Sequence, residues 1–292
     1  MTKYERVLVT GGSGRVGSYV VKEMVKGGHG VTVFDINKPQ SNVSFIQGTI
    51  LDLPAVEKAV KGVDVVLHLA AHDWIMNTRG IRGDEFIHVN VLGTWNVLQA
   101  AEAAGVRKVV VCSSISATGI EELRPEFPPE YLPIDEKHVI KPVEPYSVSK
   151  QMVEEAALSF ARRDKMDVIC LRPQGVSVPG SFERYIKLAA DPVKPWFNCY
   201  VTPEDTARAF RLAAEKDLGR FDLFFVSARD TTADLPTLDL ARKIFRTMPE
   251  VRRPDYYRAF PRASLIDVDH ARKVLGFEAE SDWLKLRAAA SS

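Results

Sequence analysis

The sequence has few cysteines, no long apolar run and almost no net charge. Its three cysteines, Cys112, Cys170 and Cys199, stand far apart in 292 residues, so they form neither a disulfide framework nor the paired spacing of a zinc site. The 39 basic and 38 acidic side chains nearly cancel, which argues against binding to nucleic acid or to an anionic membrane surface. The sequence shows no signal peptide and no run of bilayer-spanning length. We therefore expect a soluble, cytoplasmic protein without a metal, nucleic-acid or membrane partner.

The chain instead contains an alternation of apolar strands and amphipathic helices. Hydrophobic residues make up 46% and charged residues 26%, which is typical of a globular protein. Continuous apolar strands between helices are typical of a parallel sheet covered on both faces. The pattern predicts an α/β fold with a doubly wound parallel sheet, the Rossmann fold, over residues 1–173. Residues 119–145, rich in proline and acids, are expected to be a loop. Residues 174–292 should form mainly a small C-terminal substrate lobe, with helix 203–215 and strand 221–226 returning to the sheet.

A glycine-rich turn near the start of the chain predicts a nucleotide site. Residues 10–17 have the sequence TGGSGRVG, directly after an apolar strand and before a helix. Glycines in such a turn let the backbone bend sharply, approach a pyrophosphate and pack the helix on the sheet. The amides from Arg15 and Val16 onward would face that anion at the positive end of the helix dipole. The second strand ends on Asp35, whose carboxylate suits both hydroxyls of an adenosine ribose.

Two further groups of residues suit proton transfer. Tyr146 and Lys150 lie four residues apart, on one face of a predicted helix. A nearby ammonium and a nicotinamide cation both favour the phenolate of a tyrosine, whose pKa is ordinarily about 10. Another strand ends in Ser113 and Ser114, and Ser114 is placed to hydrogen-bond a substrate oxygen while Tyr146 moves the proton. The first pair alone also fits an exposed helix face, and the serines also fit capping. Together with the glycine turn, they predict hydride transfer.

These motifs resemble, in order along most of the chain, the extended short-chain dehydrogenases/reductases, also called the NAD-dependent epimerase/dehydratase family. The matching segments are residues 10–17, Asp35, 68–71 (HLAA), Asn90 within NVLGT, Ser113 and Ser114, Tyr146 and Lys150, 171–173 (LRP) and 201–207 (VTPEDTA). The resemblance implies NAD as cofactor and Ser114, Tyr146 and Lys150 as catalytic residues. It makes Tyr146 the general acid/base and places Lys150 on the nicotinamide ribose. The predicted NAD contacts are Gly11, Gly14, Arg15, Val16, Gly17, Asp35, Ile36, Thr49, Ile50, Leu69, Ala70, Ala71, Asn90, Ser113, Tyr146, Lys150 and Pro173.

The chain departs from this family at adenine and substrate positions. Thr49 stands where members often have an acid that meets the adenine amino group, so we expect adenine contact from Thr49 and the backbone after it. Thr118 stands where many members have a tyrosine, and Gln174 where sugar-nucleotide members often have an asparagine. Asp35 favours NAD over NADP because a carboxylate repels the additional phosphate. Arg15 argues the other way, since arginine binds phosphate well, but we interpret it as a solvated first-turn residue.

A short segment before the late helix indicates a small substrate. Family members that hold nucleotide-sugars usually insert a long segment there, whereas residues 174–202 suit a free sugar or sugar acid and resemble the uronate dehydrogenase-like branch. That branch holds the substrate carboxylate with an arginine, for which Arg184 is the candidate, although it also fits a surface ion pair. Asp73 would accept sugar hydroxyl protons and repel a carboxylate, which favours a neutral aldose. Ser114 and Ile115 complete the predicted substrate contacts.

The expected activity is the NAD-dependent removal of a hydride from a carbinol carbon of a small free sugar or sugar acid. One alternative keeps NAD bound and returns the hydride, as in a nucleotide-sugar 4-epimerase or dehydratase. Another is a non-catalytic dinucleotide sensor, although such proteins tend to lose the tyrosine or the lysine. The resemblance also implies a homodimer through helices around 82–104 and 146–163, whose apolar residues equally fit packing on the sheet.

Overall fold

The structure, a computed structural model, describes residues 5–73, 80–122, 127–178 and 198–290. Its strands are β1 (Arg6–Thr10), β2 (Gly30–Asp35), β3 (Ser44–Gln47), β4 (Val65–His68), β5 (Lys108–Cys112), β6 (Tyr131–Leu132), β7 (Asp167–Pro173), β8 (Phe221–Val226) and β9 (Glu250–Val251). Its α-helices are α1 (Gly17–Lys26), α2 (Leu53–Ala59), α3 (Gly83–Phe86), α4 (Gly93–Ala103), α5 (Pro145–Ala161), α6 (Pro203–Glu215), α7 (Thr237–Ile244), α8 (Pro254–Ala259) and α9 (Trp283–Ala290). A π-helical segment, Ile87–Leu92, joins α3 to α4, and a second one covers Ala271–Leu275.

Within these ranges, seven parallel strands form one sheet in the order β3-β2-β1-β4-β5-β7-β8. The chain first builds outward from β1 to β3 and then returns to place β4 on the other side of β1. At such a reversal, the connections after the two strands lead away from each other and leave a crevice at the carboxyl ends. The predicted doubly wound α/β fold is confirmed, and in folds of this kind the ligand crevice lies at such a reversal, here after β1 and β4.

The strands are apolar because both faces of the sheet are covered. Along β1, Val7 and Val9 belong to the core on the side of α1 and α6, whereas Leu8 belongs to the core on the side of α2, α4 and α5. All four residues of β4 are buried as well. Burial on both faces explains why these strands show continuous apolar runs and not an alternating pattern.

A separate apolar cluster lies beyond the sheet and includes Ile115, Leu132, Leu240 and Leu265. Here β6 pairs in parallel with β9. The strand β6 lies inside the segment 119–145, which was expected to be only a loop. A two-residue strand has no periodicity of its own, and its partner lies more than a hundred residues further along the chain, so the sequence pattern does not reveal it. The division of the chain at residue 173 remains a prediction. In the described ranges, no helix is long and apolar enough to cross a bilayer.

Candidate active site

The glycine turn after β1 leaves no room for side chains. Gly11 has a φ of +74°, and a Cβ there would lie 2.5 Å from the backbone nitrogen of Ala70. A Cβ at Gly17, the first residue of α1, would overlap the carbonyl oxygen of Gly11. Val16, which precedes the helix, has no polar side chain to cap it. The turn therefore forms a closed backbone cradle and leaves the start of α1 suited to an external anion.

Asp35 is held beside this cradle at the end of β2. Its Oδ2 accepts a hydrogen bond from the backbone nitrogen of Ser13 at 3.0 Å, and its Oδ1 accepts one from that of Asn37 at 2.9 Å. Each carboxylate oxygen can accept a further hydrogen bond. The sequence-predicted ribose ligand is thus oriented by the same turn that forms the cradle.

The two strands that border the crevice are joined by a buried histidine. His68, the last residue of β4, lies 2.7 Å through Nδ1 from the hydroxyl of Thr10 on β1 and 2.9 Å through Nε2 from that of Thr94 on α4. The backbone nitrogen of Leu69 donates to the carbonyl of Thr10 at 3.0 Å, and that of Ala70 donates to the Thr10 hydroxyl at 3.4 Å. These contacts fix the predicted cofactor segment after β4 against the glycine turn.

Asn90 is fully buried in the π-helical segment and clamps the same connection. Its Oδ1 accepts from the backbone nitrogen of His72 at 2.7 Å, and its Nδ2 donates to the carbonyl of His72 at 3.1 Å. The same Nδ2 donates to the hydroxyl of Ser149 on α5 at 2.9 Å. The side chain of Asn90 therefore positions the segment after β4 and ties it to the helix that carries Tyr146 and Lys150.

Arg15 and Asp73 form an ion pair across the crevice. Arg15 lies in the connection after β1 and Asp73 in the connection after β4, and both side chains are about half exposed. Solvent screening makes such a pair weak. Arg15 was interpreted as a solvated residue; the structure shows it partly exposed and paired with the predicted substrate residue.

Ser114, Tyr146 and Lys150 come together after β5 and at the start of α5. The Nζ of Lys150 donates to the carbonyl of Cys112 at 2.8 Å and lies 5.8 Å from the centre of the Tyr146 ring. A hydrogen bond from the Ser114 side chain lowers the pKa of Tyr146, so the two side chains act on each other. Phe86 packs edge-on against the Tyr146 ring at 5.9 Å. The structure thus brings the three predicted catalytic residues into one buried cluster beside the crevice.

The pKa of Tyr146 differs in direction from the expectation. Burial raises it well above the ordinary value, and the negative charges of Asp73 and Glu121 act in the same direction, whereas the hydrogen bond from Ser114 lowers it. Burial also lowers the pKa of Lys150, because the charged form loses its hydration. Desolvation is the largest effect on the pKa of Tyr146, and it favours the protonated phenol.

A buried ion pair beneath this cluster was not predicted. Arg172 on β7 donates to Glu154 on α5 through Nε at 2.8 Å and through Nη2 at 2.7 Å, and the hydroxyl of Ser113 donates to the same carboxylate. Ser113 therefore stabilises the carboxylate of this pair. Glu154 lies one helical turn after Lys150, but that spacing carries no signal for Arg172 on another element, so the sequence does not reveal the pair.

The remaining predicted residues are spread around the crevice. Ile36 is 60% exposed and Thr49 is also exposed, whereas the carbonyl of Ile50 accepts a hydrogen bond from Asn96 at 3.0 Å. Pro173 ends β7, Gly14 lies in the cradle with its backbone nitrogen bonded to the Gly11 carbonyl, and Ala71 is half-buried after β4. Ile115 was predicted to contact the substrate, but its side chain is buried in the apolar cluster beyond the sheet.

Arg184 lies outside the described residues. Among the described residues, no group of three or more His, Cys, Asp or Glu is arranged to hold a metal ion.

Comparison with known proteins identifies the family. The model of the NAD dependent epimerase/dehydratase family matches residues 7–190. A putative UDP-glucose 4-epimerase of Methanocaldococcus jannaschii is 34% identical over 180 residues, which is 58% of this chain and 55% of that protein. The human sterol-4-alpha-carboxylate 3-dehydrogenase, decarboxylating, is 32% identical over 178 residues, which is 60% of this chain and 45% of that protein. The chain thus spans about half the length of these curated relatives.

Solved structures agree with the sequence matches. The structure of MoeE5 in complex with UDP-glucuronic acid and NAD is 26% identical, has a TM-score of 0.70, and covers 95% of this chain and 94% of that one. The chain therefore belongs to the NAD-dependent epimerase/dehydratase family, as its motifs predicted, and NAD is its cofactor. The residues present fit that group, because the turn at Gly11 and Gly17 has space for backbone only and the carboxylate of Asp35 suits the ribose of NAD.

We predict that Gly17→Ala damages the cradle. The added methyl group overlaps the carbonyl oxygen of Gly11, so we expect the free energy of unfolding to fall by about 2 kcal/mol and NAD binding to be lost. Urea unfolding and titration calorimetry with NAD measure both effects. Gly27→Ala, just after the other end of α1, is the matched control, because its Cβ would come no closer than 3.1 Å to its neighbours, Arg211, His29 and the Met24 carbonyl. Equal NAD affinity for Gly17→Ala and the wild type would contradict the prediction.

We predict that His68 contributes a specific acid sensitivity. Burial lowers its pKa from 6.5 to about 3, so between these pH values the unfolded chain binds a proton that the folded protein does not. The free energy of unfolding therefore falls as the pH drops below 6.5, and by pH 5 this group alone accounts for about 2 kcal/mol. Urea unfolding at pH 7 and pH 5 should show a smaller pH dependence for His68→Gln. The control is His88→Gln, at an exposed position. Identical pH dependence in the wild type and His68→Gln would refute the assignment.

Proposed function

We propose that this protein is an NAD-dependent oxidoreductase that removes a hydride from a carbinol carbon of a small free sugar or sugar acid. The observation that carries the proposal is the convergence of Ser114, Tyr146 and Lys150 beside the crevice after β1 and β4. A hydroxyl, a phenol and an ammonium in one buried cluster are the groups that proton removal from an alcohol requires.

The cofactor is held by the cradle and by two side chains. Gly11, Gly14 and Gly17 admit the pyrophosphate to the start of α1, Asp35 accepts from the adenosine ribose hydroxyls, and Lys150 donates to the nicotinamide ribose. When bound, NAD supplies the acceptor for the hydride. The remaining predicted contacts, from Ala70 and its neighbours, follow from their position against the glycine turn.

The protein moves the proton. Tyr146 accepts it from the substrate hydroxyl, and Ser114 orients the substrate oxygen. Burial raises the pKa of Tyr146, so a positive charge beside it is needed to favour the phenolate. The ammonium of Lys150 and the cofactor cation act together in this role.

The substrate is inferred from the site, because the two curated relatives are named for unlike substrates, a UDP-sugar and a sterol carboxylate. The segment 174–202 is short and suits a small free sugar or sugar acid. Asp73 accepts sugar hydroxyl protons, and its ion pair with Arg15 offsets part of its charge. Arg184 is the candidate for a substrate carboxylate.

The alternative is a nucleotide-sugar 4-epimerase or dehydratase that keeps NAD and returns the hydride. The likeness to a putative UDP-glucose 4-epimerase supports it. A nicotinamide absorbance screen of the purified protein with NAD against free aldoses, uronic acids and nucleotide-sugars separates the two. Steady NADH build-up with a free sugar or sugar acid supports the dehydrogenase. Conversion of a nucleotide-sugar without build-up supports the alternative.

We predict that Tyr146→Phe lowers turnover roughly a thousandfold, because the variant keeps the ring and loses the proton acceptor. NAD binding should remain, since the cradle is unchanged. Tyr256→Phe on α8 is the control and should keep full turnover. Initial rates of NADH formation with the substrate found in the screen measure the effect, and undiminished turnover by Tyr146→Phe would exclude the proposed mechanism.

We also propose a homodimer formed by the helices around 82–104 and 146–163. Three apolar side chains on these helices are conspicuously exposed in the single chain: Leu92 at 44%, Trp95 at 38% and Met152 at 41%. Burying them against a second copy would form a four-helix contact.

We therefore predict that Leu92→Lys yields a monomer, because a charge at this position would be buried without a partner. Size-exclusion chromatography with light scattering measures the mass. Leu284→Lys on α9, where the leucine is 48% exposed, should leave the dimer intact. A wild-type protein that runs as a monomer would exclude the dimer.

A further inference from the structure

A short chain of hydroxyl groups leads from Ser114 to a carboxyl group that has no role in the proposed reaction. The hydroxyl of Ser114 lies 3.2 Å from that of Ser116, and the hydroxyl of Ser116 donates to Oε2 of Glu121 at 2.7 Å. The other carboxylate oxygen, Oε1, accepts from Nε2 of Gln174 at 2.9 Å. The backbone nitrogen of Ser116 also donates to the Ser114 hydroxyl at 3.2 Å. Since Tyr146 bonds to Ser114, the chain connects the catalytic hydroxyl to Glu121.

The local fold holds Glu121 in this position. Two 3-10 turns, Ile115–Thr118 and Ile120–Glu122, are joined by Gly119, which has a φ of +73°. A Cβ at Gly119 would lie 2.6 Å from the backbone of Pro142, so the bend needs glycine. The bend returns Glu121 to Ser116, five residues earlier.

The surroundings of Glu121 make it a good proton acceptor. Burial raises the pKa of its carboxyl group and nearby Glu122 raises it further, whereas the hydrogen bonds from Ser116 and Gln174 lower it. Cys199 and Tyr146 are the other titratable groups that sense its charge. The groups that act on Tyr146 from neighbouring elements are Cys112, Asp73 and Lys150.

The charge of Glu121 decides which way the hydroxyls point. An ionised carboxylate only accepts, so Ser116 must donate to Glu121 and then accept from Ser114. Ser114 has then used its single proton on Ser116 and accepts from the protonated Tyr146; it donates to the phenolate, the bond that lowers the Tyr146 pKa, only when its proton turns away from Ser116. When Glu121 is protonated, the chain can reverse, and Ser114 then donates toward Tyr146 or the substrate oxygen.

We propose that Glu121 is a positioning residue that orients Ser114 and ends a proton path from Tyr146 through Ser114 and Ser116; this inference rests on the proposed function. After Tyr146 has received the substrate proton, its hydroxyl proton passes to Ser114, the proton of Ser114 passes to Ser116, and that of Ser116 passes to Glu121. Three O–H bonds break and three form, so one proton moves from Tyr146 to Glu121 and no group is oxidised. Glu121 then exchanges the proton with water.

The test measures the coupling without substrate or cofactor. With glutamate labelled with ¹³C at Cδ, NMR titration follows Glu121, and its signal is identified by its loss in Glu121→Gln. Ser116→Ala removes a donor to the ionised carboxylate, so we expect the Glu121 midpoint to rise by about one pH unit. Ser114→Ala and Tyr146→Phe should raise it by smaller, decreasing amounts, because they weaken the donation of Ser116 from further along the chain.

Ser147→Ala is the matched control. This buried hydroxyl lies next to Tyr146 in the sequence but does not belong to the row of hydrogen bonds from Ser114 to Glu121. In Ser147→Ala we expect the titration midpoint of Glu121 to stay the same. In every variant, unchanged NMR chemical shifts of the other glutamates show that the protein is folded. An unchanged Glu121 midpoint in both Ser114→Ala and Tyr146→Phe would overturn the proposal. Because the titration needs no turnover, coupling in a protein that oxidises no sugar would refute the proposed function and leave the hydrogen-bonded path standing.

A second readout follows once a substrate is found. In the direction of alcohol oxidation, the wild type should lose kcat/KM on the acid side as Glu121 becomes protonated. In Glu121→Gln, this decrease of kcat/KM at acid pH should be absent, and kcat/KM at neutral pH should be lower than in the wild type. A decrease at the same acid pH in Glu121→Gln as in the wild type would overturn the proposal.

Discussion

The pairing of β1 with β4 is the constraint on which the rest of the site depends. It reverses the order of the sheet, so the connections after these strands separate and open a crevice between them. His68 holds the two strand ends together through Thr10 and Thr94 in a fully buried position. Asn90 then fixes the next segment against α5. The cradle and the helix α5 are thereby positioned by one continuous set of hydrogen bonds.

Desolvation is the largest influence on the pKa values of Tyr146 and Lys150. It raises the pKa of Tyr146 and lowers that of Lys150, so both residues are biased toward their neutral forms. Arg172 and Glu154 neutralise each other beneath them. A buried cluster of this kind responds strongly to a charged ligand because little solvent screens the added charge.

Two departures from the family pattern are connected in the structure. Thr118, which stands where many members have a tyrosine, donates to the carbonyl of Ile115 at 2.8 Å and accepts from the backbone nitrogen of Ile120 at 3.1 Å. It thereby stabilises the bend that returns Glu121 to Ser116. Gln174, the second departure, donates to the same carboxylate. Both unusual residues therefore support one polar network at the substrate side of the site.

The sequence by itself determined the sheet, the family and the cofactor. Buried strands are read from local apolar runs, and the glycine turn and Asp35 are separated by one helix, so their relation depends on short-range geometry. Only the tertiary structure decided the pairing of Arg15 with Asp73, the pairing of Glu154 with Arg172 and the contact of Glu121 with Gln174. Charge pairing and the loss of solvent around Tyr146 depend on which distant elements meet, and no local pattern of residues records that.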